Sequence, residues 1–589
     1  MEVQEQPRHT AVAQQTARGL KYRWHLPKIN TSLAHAVASR HALSIPVAHF
    51  LASRELSGAE QIERLLTSDF DRDIAHPSLL ADSELAVQRI EAALASGEKI
   101  LVFGDYDVDG ITSTSLILVC LAPLGAKINF FLPNRARDGY GLSVSAVEKA
   151  AANDFKLIIT VDNGISAVEA AHRAHELGID LIITDHHKVH GELPQAHAIV
   201  DPMRPECKFP NKNLAGVGVA FKIMSLLYEK RGIQLPAKTY ELLALGTIAD
   251  VVPLIDENRF WVRHGLTLMN KNPSEAIRTL ATNARLESKL TSQDIAFMIA
   301  PQINALGRLD DSRDGVKLLV TSNSSEIQRI CTKLKECNDK RKQVEREIYD
   351  EIEVAITMGQ IDLDRELTIF SASKDWKAGV IGLVAGRFAE DYGRPSFLFH
   401  LRENGFASGS CRSSHNIDIH ALLAANSHLL EKFGGHTFAA GLTLKAENLP
   451  KLKVALEGLL AERFTPDDLR PEISIDAPLE LPEANKKLLS DLERLEPFGC
   501  ANESPKFIVE DATLVKPPAI LKERHTRLTV FSQGTIKPVI FFNRPDVYKA
   551  LHKAQDANFD LAARVVKNEW QGSVSIELRG IDLRIRDNK

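Results

Sequence analysis

Between residues 98 and 202 one pattern recurs: an apolar run of strand length, a polar end, then a short helical stretch. The runs are EKILVFGDYDVDG (98–110), AKINFFLP (126–133), FKLIITVDNGI (155–165), DLIITDHH (180–187) and HAIVDP (197–202). Helical AVEAAHRAHELG lies between the third and fourth. Strands alternating with short helices predict a parallel sheet with helices on both faces. Such sheets gather ligands at the carboxyl ends of their strands. Asp105, Asp107 and Asp109 fall at one such end, Asp162 at another, and Asp185-His186-His187 at a third. Taken alone, the tripeptide is more readily a polar loop with two chance histidines. The joint pattern predicts three strands delivering acids and imidazoles to one rim.

The length, 589 residues, suggests about three or four domains. A chain that is 44% hydrophobic and 25% charged has the profile of an ordinary soluble protein. No apolar run is long enough to span a bilayer, and the N-terminal MEVQEQPRHTAVAQQTARGLKYRWHL lacks the apolar stretch of a secretory signal. Cys120, Cys207, Cys331, Cys337, Cys411 and Cys500 form neither a CxxC pair nor a close zinc quartet, which fits a reducing cytoplasm. A net charge of −5 means that any nucleic-acid surface must be a local basic patch.

Along the chain, the first residues, to about 30, show no clear periodicity and are expected to form a loose arm. From 324 to 357, Ile327, Ile330, Cys331, Leu334, Val344, Ile348 and Ile352 recur at helical spacing. This is either one connecting helix of ~50 Å or a broken pair of ordinary helices. A second α/β unit follows at 360–465. The remainder, with FIVEDATLV, HTRLTVFSQ, KPVIFFN, LAARVVKNEW and GSVSIELRG, reads as a small β-barrel. Between 505 and 550, Lys506, Lys516, Lys522, Arg524, Arg527, Lys537, Arg544 and Lys549 face only Glu510, Asp511, Glu523 and Asp546. With Phe507, Phe531, Phe541 and Phe542 nearby, this is either a single-strand-binding barrel or a solvated strand face over core phenylalanines.

Three carboxylates within five residues repel one another in a dry cleft unless cations are present. Oxygen ligands joined by imidazole suit Mn²⁺ or Mg²⁺. If DYDVDG is extended, Asp107 and Asp109 face one side, and Gly110 lets the chain turn closely past the ions. Asp162 could bridge two metals, and Asp250, a lone acid in apolar LGTIADVVPL, needs a partner that a metal would supply. Two metals ~3.5–4 Å apart can clamp a phosphodiester, so the chemistry expected is hydrolysis of phosphate esters or anhydrides.

DYDVDG, TVDNG, TDHH and IADVVP together resemble the DHH phosphoesterase superfamily. PNRARDGYGLS, LAGVGVAFK, PQINALGRLDD, WKAGVIG, GSCRS, KFGGHTFAAG and LEPFGCANESP narrow the resemblance to the bacterial RecJ family, from about residue 45 to the C-terminus. The resemblance implies an arm (1–44), a DHH domain (45–322), a connecting helix (323–358), a smaller α/β DHH-associated domain (359–468) and an oligonucleotide-binding barrel (469–589). It implies 5′-to-3′ degradation of single-stranded DNA to mononucleotides with two Mn²⁺ or Mg²⁺ ions, in recombination and repair. By motif position Asp107, Asp109, Asp162, His186 and Asp250 resemble the metal ligands. Asp105 lies beside them, and His187 resembles the residue that contacts the scissile phosphate. Arg135, Ser410 and Arg412 resemble phosphate-binding positions near the 5′ end, and Asn304, Arg308, Gly434, Gly435 and His436 further strand contacts. The implied partners are single-stranded DNA, a single-strand binding protein and a helicase, with no membrane and a monomeric chain. Gln302, Lys377 and Cys411 depart from the family pattern. Gln302 is expected to withhold a bidentate phosphate contact and Cys411 to restrict backbone that glycine leaves free. The competing readings are a DHH phosphoesterase for short oligonucleotides or nucleotide phosphates, and a non-catalytic replication scaffold. The length and the extra barrel argue against the first, the full set of acids against the second.

Overall fold

The computed structural model describes residues 15–56, 58–133, 141–189, 191–309, 311–413, 417–554, 557–570 and 573–586. The chain separates into two compact units. One is Thr67–Lys342 with Glu496–Glu503; the other is Met1–Leu66 with Gln343–Leu495 and Ser504–Lys589.

In the first unit the repeated apolar runs become the five strands expected of them. They are Lys99–Phe103, Lys127–Phe131, Phe155–Val161, Asp180–Thr184 and Ala198–Val200, all parallel. Their spatial order is second, first, third, fourth, fifth. The order therefore reverses between Lys99–Phe103 and Phe155–Val161, where the two flanking crossovers leave on opposite sides and open a crevice. Apolar clusters fill both faces. Val102, Ile159 and Ile182 pack on one side, and Leu101, Ile158 and Ile183 on the other. This alternation is what a sheet covered twice requires.

DYDVDG is not extended. Asp107 caps a helix, Val108–Leu121, accepting from the Gly110 N–H at 3.1 Å, and Asp109 lies in the first turn. A short acid side chain ahead of an apolar run is a helix start, and that preference outweighs strand continuation here. Gly110 serves packing rather than a turn: a Cβ there would lie 2.5 Å from the Asp105 nitrogen.

The second unit holds a mixed sheet, in which Ile369–Ser373 pairs in parallel with Ser396–Leu401. Phe406–Arg412, Ala439–Lys445 and Lys432–His436 follow, antiparallel. The stretch from 324 forms one continuous helix, Ser324–Thr357, not a broken pair. It carries no glycine or proline to interrupt it. The C-terminal strands close into a barrel, because Phe507–Leu514 pairs with both Phe559–Trp570 and His525–Ser532.

The expected loose arm is corrected over its described part. Thr16–Arg18 pairs with Arg23–His25, which lies parallel to Glu472–Ser474. Trp24 is fully buried, and residues 45–66 also belong to this unit, with Arg54 paired to Asp476 at 3.0 Å. The anchor is buried Asp582, far away in sequence and so invisible to local periodicity. It accepts from the Tyr22 N–H (3.0 Å), the Trp24 indole (2.9 Å) and the Arg544 guanidinium (2.8 Å). Removing it strands these donors, a loss of about 3–5 kcal/mol for a buried charged network. In Asp582→Ala, hydrogen exchange should show the amides of Arg23–His25 losing protection; unchanged protection would mean that the segment is held by other contacts.

Candidate metal centre

The acids converge at the point where the strand order reverses. Asp105 and Asp107 follow the first strand, Asp162 ends the third, His186 and His187 follow the fourth, and Asp250 terminates the helix Lys238–Ala249. Three overlapping groups have ligand atoms within 4.8 Å of one another: Asp105, Asp107 and Asp162; Asp109, His186 and Asp250; Asp162, His186 and His187. Asp162 belongs to two of them. Its φ of 61° is left-handed, an uncommon and costly state for a non-glycine that clusters at functional sites.

His186 Nε2 lies 3.1 Å from Asp162 Oδ1, 3.7 Å from Asp250 Oδ2 and 3.8 Å from Asp109 Oδ2. Burial and the neighbouring His187 push the His186 imidazole down to about 4, so it is neutral and offers a lone pair. Burial, then the charge of Asp107, pushes Asp109 up to about 7. Burial followed by the surrounding carboxylates raises Asp162 and Asp250 well above the usual carboxylate range. Asp250 Oδ2 is buried and has no hydrogen-bond partner among the described residues. Crowded, dry carboxylates with an orphaned oxygen and a neutral imidazole fit hard divalent cations, which would replace the protons that the acids otherwise hold.

His187 is set apart by Asp185. The buried Asp185 carboxylate accepts from the backbone N–H of Ile165 (2.9 Å), His186 (2.8 Å) and His187 (3.2 Å), and lies 2.7 Å from His187 Nδ1. Burial works against charge on His187, yet Asp185 outweighs it and raises the ring to about 9. His187 is thus an imidazolium with 41% of its side chain open to solvent.

Asn304 has a local role. Its Oδ1 accepts from the Val108 N–H at 3.1 Å and so steadies the acidic loop. Arg308 lies on the helix Ala300–Leu309, but its side chain is outside the described residues, as is all of Arg135. Ser410 and Arg412 are on the sheet of the other unit, where Arg412 Nη1 donates to Ser410 Oγ at 3.2 Å. Cross-strand register sets Gly441 and then Gly434 beside Ser410, and Ala439 and then His436 beside Arg412. Gly435 alternates to the opposite face. Cys411 also points away, into the apolar core, so it leaves the face of Ser410 and Arg412 unchanged. Gln302 is buried and donates to the carbonyls of Leu280 and Met298, so it is a core residue that presents no side chain to a strand. Lys377 is the exposed residue preceding the helix Ala378–Tyr392. In the barrel the four phenylalanines divide: Phe507 and Phe541 are core, whereas Phe531 and Phe542 are exposed, with the Arg579 guanidinium 5.4 Å from the Phe542 ring.

The sequence profile of the DHH family's N-terminal domain matches residues 99–247, that of the DHHA1 domain 365–462, and that of the RecJ OB domain 475–582. The chain is 32% identical over 553 residues to the single-stranded-DNA-specific exonuclease RecJ of Bacillus subtilis, covering 93% of this chain and 69% of that protein. It is 32% identical over 550 residues to that of Escherichia coli, covering 90% and 93%. The chain belongs to the RecJ family. Its fold matches the crystal structure of RecJ in complex with Mn²⁺ from Thermus thermophilus with a TM-score of 0.81 and 26% identity, over 96% of this chain and 80% of that one.

Among the residues that this RecJ-family chain brings to the centre, three had no role assigned from sequence. Asp185 was read only as part of the tripeptide. Gly216 and Val217, within LAGVGVAFK, start the helix Gly216–Lys230 and donate their N–H groups to Asp109 at 2.6 and 2.9 Å. A carboxylate at a helix N-terminus is favoured by exposed N–H donors and the helix dipole. The signal in sequence was the glycine itself: a Cβ at Gly216 would lie 2.6 Å from Asp162 Cβ. Gly216→Ala should therefore weaken Mn²⁺ binding about 10–100-fold, the usual scale for outer-shell support of a metal site. Titration calorimetry checks this, and an unchanged affinity would show that the backbone can yield there.

Proposed function

We propose that this chain is a single-stranded-DNA-specific 5′-to-3′ exonuclease that hydrolyses phosphodiester bonds and releases mononucleotides, serving recombination and repair. The observation that carries the reading is the convergence of Asp105, Asp107, Asp109, Asp162, His186 and Asp250 at one crevice of a RecJ-family chain. Asp107, Asp109, Asp162, His186 and Asp250 would hold two Mn²⁺ or Mg²⁺ ions, with Asp162 shared between them. Bound there, the ions would make a water acidic enough to attack phosphorus and offset charge growing on the phosphoryl oxygens.

The chain's own groups supply the rest. Asp105 packs beside the shared carboxylate. Asp185 holds the His187 imidazolium, which would donate to a non-bridging oxygen of the scissile phosphate, a charge-assisted contact. Ser410, Arg412, Gly434 and His436 would contact the strand through one face of the second unit's sheet, with Arg412 reading the 5′ phosphate. Asn304 and Arg308 would act from their helix beside the acidic loop. The exposed Phe531 and Phe542 and the basic residues of the barrel suit stacking and phosphate contacts along a single strand. RecJ of Thermus thermophilus, compared above, has been solved in complex with Mn²⁺ and with Mg²⁺, which supports either ion for this centre. No helix among the described residues is long and apolar enough to cross a membrane.

The test is release of mononucleotides from 5′-labelled single strands and duplexes, with and without Mn²⁺. Asp162→Ala should remove hydrolysis by several orders of magnitude while leaving the fold intact, because every group at the centre packs around that carboxylate. Near-normal turnover in a folded Asp162→Ala would put the reaction elsewhere.

A charge-assisted phosphate contact contributes ~1.5–3 kcal/mol. Arg412→Ala should lower affinity for 5′-phosphorylated strands by a factor of this size and spare 5′-hydroxyl strands, compared at one salt concentration because phosphate binding is salt-dependent. Equal losses on both substrates would make Arg412 a general backbone contact.

A further inference from the structure

Phe297 is 73% exposed, more than the large apolar side chains of the cores around it require. Among the described residues it stacks on no other ring. Its position has a covalent cause. Pro301 has no N–H to donate to the Phe297 carbonyl four residues back, and a proline ring crowds that carbonyl. The helix responds by widening: Ile295–Ile299 form a π turn, closed by the Ala300 N–H reaching back to the Ile295 carbonyl. Such single π turns are uncommon and recur at functional sites.

The outward residues of this segment form one stripe. Ile295, Ile299, Gln302 and Ile303 are buried, whereas Phe297 is exposed and Pro301 and Asn304, four and seven residues on, are half-buried. Asn304 is the residue that holds the Val108 N–H at the head of the acidic loop. Three residues further on, the helix backbone at Gly307 packs against Tyr106, where a Cβ would lie 2.7 Å from its carbonyl oxygen. At ~1.5 Å per residue, Phe297 stands about 10 Å from Asn304 along the stripe. An aromatic face is thus held in solvent within a few nucleotides' reach of the acids, on a helix fixed to their loop at two points.

We infer that Phe297 is a stacking platform for one nucleobase of the bound single strand, on the rim of the acidic centre. Stacking needs no base-edge hydrogen bonds and so accepts any base, as a strand-degrading enzyme must. The inference rests on the exonuclease reading for its ligand, but its test is separable from it. Binding of a short 5′-phosphorylated single strand is measured by fluorescence anisotropy in EDTA, where no hydrolysis occurs. An abasic nucleotide is moved along the strand one position at a time. For the wild type, one abasic position should weaken binding about tenfold, within the range for one stacked base. Phe297→Ala should bind the intact strand as weakly, and the abasic nucleotide at that position should then cost nothing more. Phe297→Trp should restore both affinity and sensitivity. The side chain is exposed, so the variants should melt with the wild type. Unaltered affinity in Phe297→Ala, or losses that simply add at every position, would overturn the inference and point to a protein partner for this ring. Failure of the wild type to cut the same strand when Mn²⁺ is supplied would overturn the exonuclease reading alone, since the coupling between ring and base is read without catalysis.

Discussion

The structure depends on keeping like charges together in a dry place. Four carboxylates crowd Asp162 beneath the point where the strand order reverses, and burial and mutual repulsion both oppose their ionisation. The surrounding backbone is arranged to offset this. The first N–H groups of one helix face Asp109, and the Asp107 carboxylate caps another. Neighbouring Asp185 spends its oxygens on three backbone N–H groups and on His187. Asp107 and Asp109 thus accept backbone N–H groups as well as facing the centre, whereas Asp250 Oδ2, buried and without a hydrogen-bond partner among the described residues, is left for a cation.

This division explains the two histidines. Adjacent in sequence, they are driven in opposite directions, His186 to a neutral ligand and His187 to a cation, because only the His187 ring is hydrogen-bonded to Asp185 while burial dominates at His186. The tripeptide is therefore a compact way to place a lone-pair donor and a positive hydrogen-bond donor side by side at one strand end.

Much of the parallel sheet was legible in the sequence because each strand carried its own signal, an apolar run followed by acids. The long helix was legible in its periodicity but not its continuity, which depends on the absence of a breaker across 34 residues. The local error at DYDVDG arose because alternation and helix capping compete for the same short polar segment, and the apolar run behind it favoured the helix. The burial of Gln302 was not legible for a different reason: a polar residue in a helix shows no sign in sequence of which carbonyls it will meet, and here those of Leu280 and Met298 hold it inside. The barrel patch combined both alternatives, two phenylalanines in the core and two outside, because strand alternation sorts them by parity. The N-terminal strands were missed because each is only three residues long and the residue that anchors them, Asp582, lies far along the chain.

That last pairing has a consequence for how the protein is made. The Lys21 backbone N–H meets its partner, Asp582, across 561 residues. At ribosomal speeds of about 5–20 residues per second, that interval is roughly half a minute to two minutes. All of Thr67–Lys342 leaves the ribosome within it, whereas Trp24 must wait with its indole exposed until the last strand emerges. The sheet that carries the acids can therefore mature first, while the unit that holds both described chain ends is completed last. Newly made chains should be most vulnerable to proteases and chaperones at their oldest residues, not their newest.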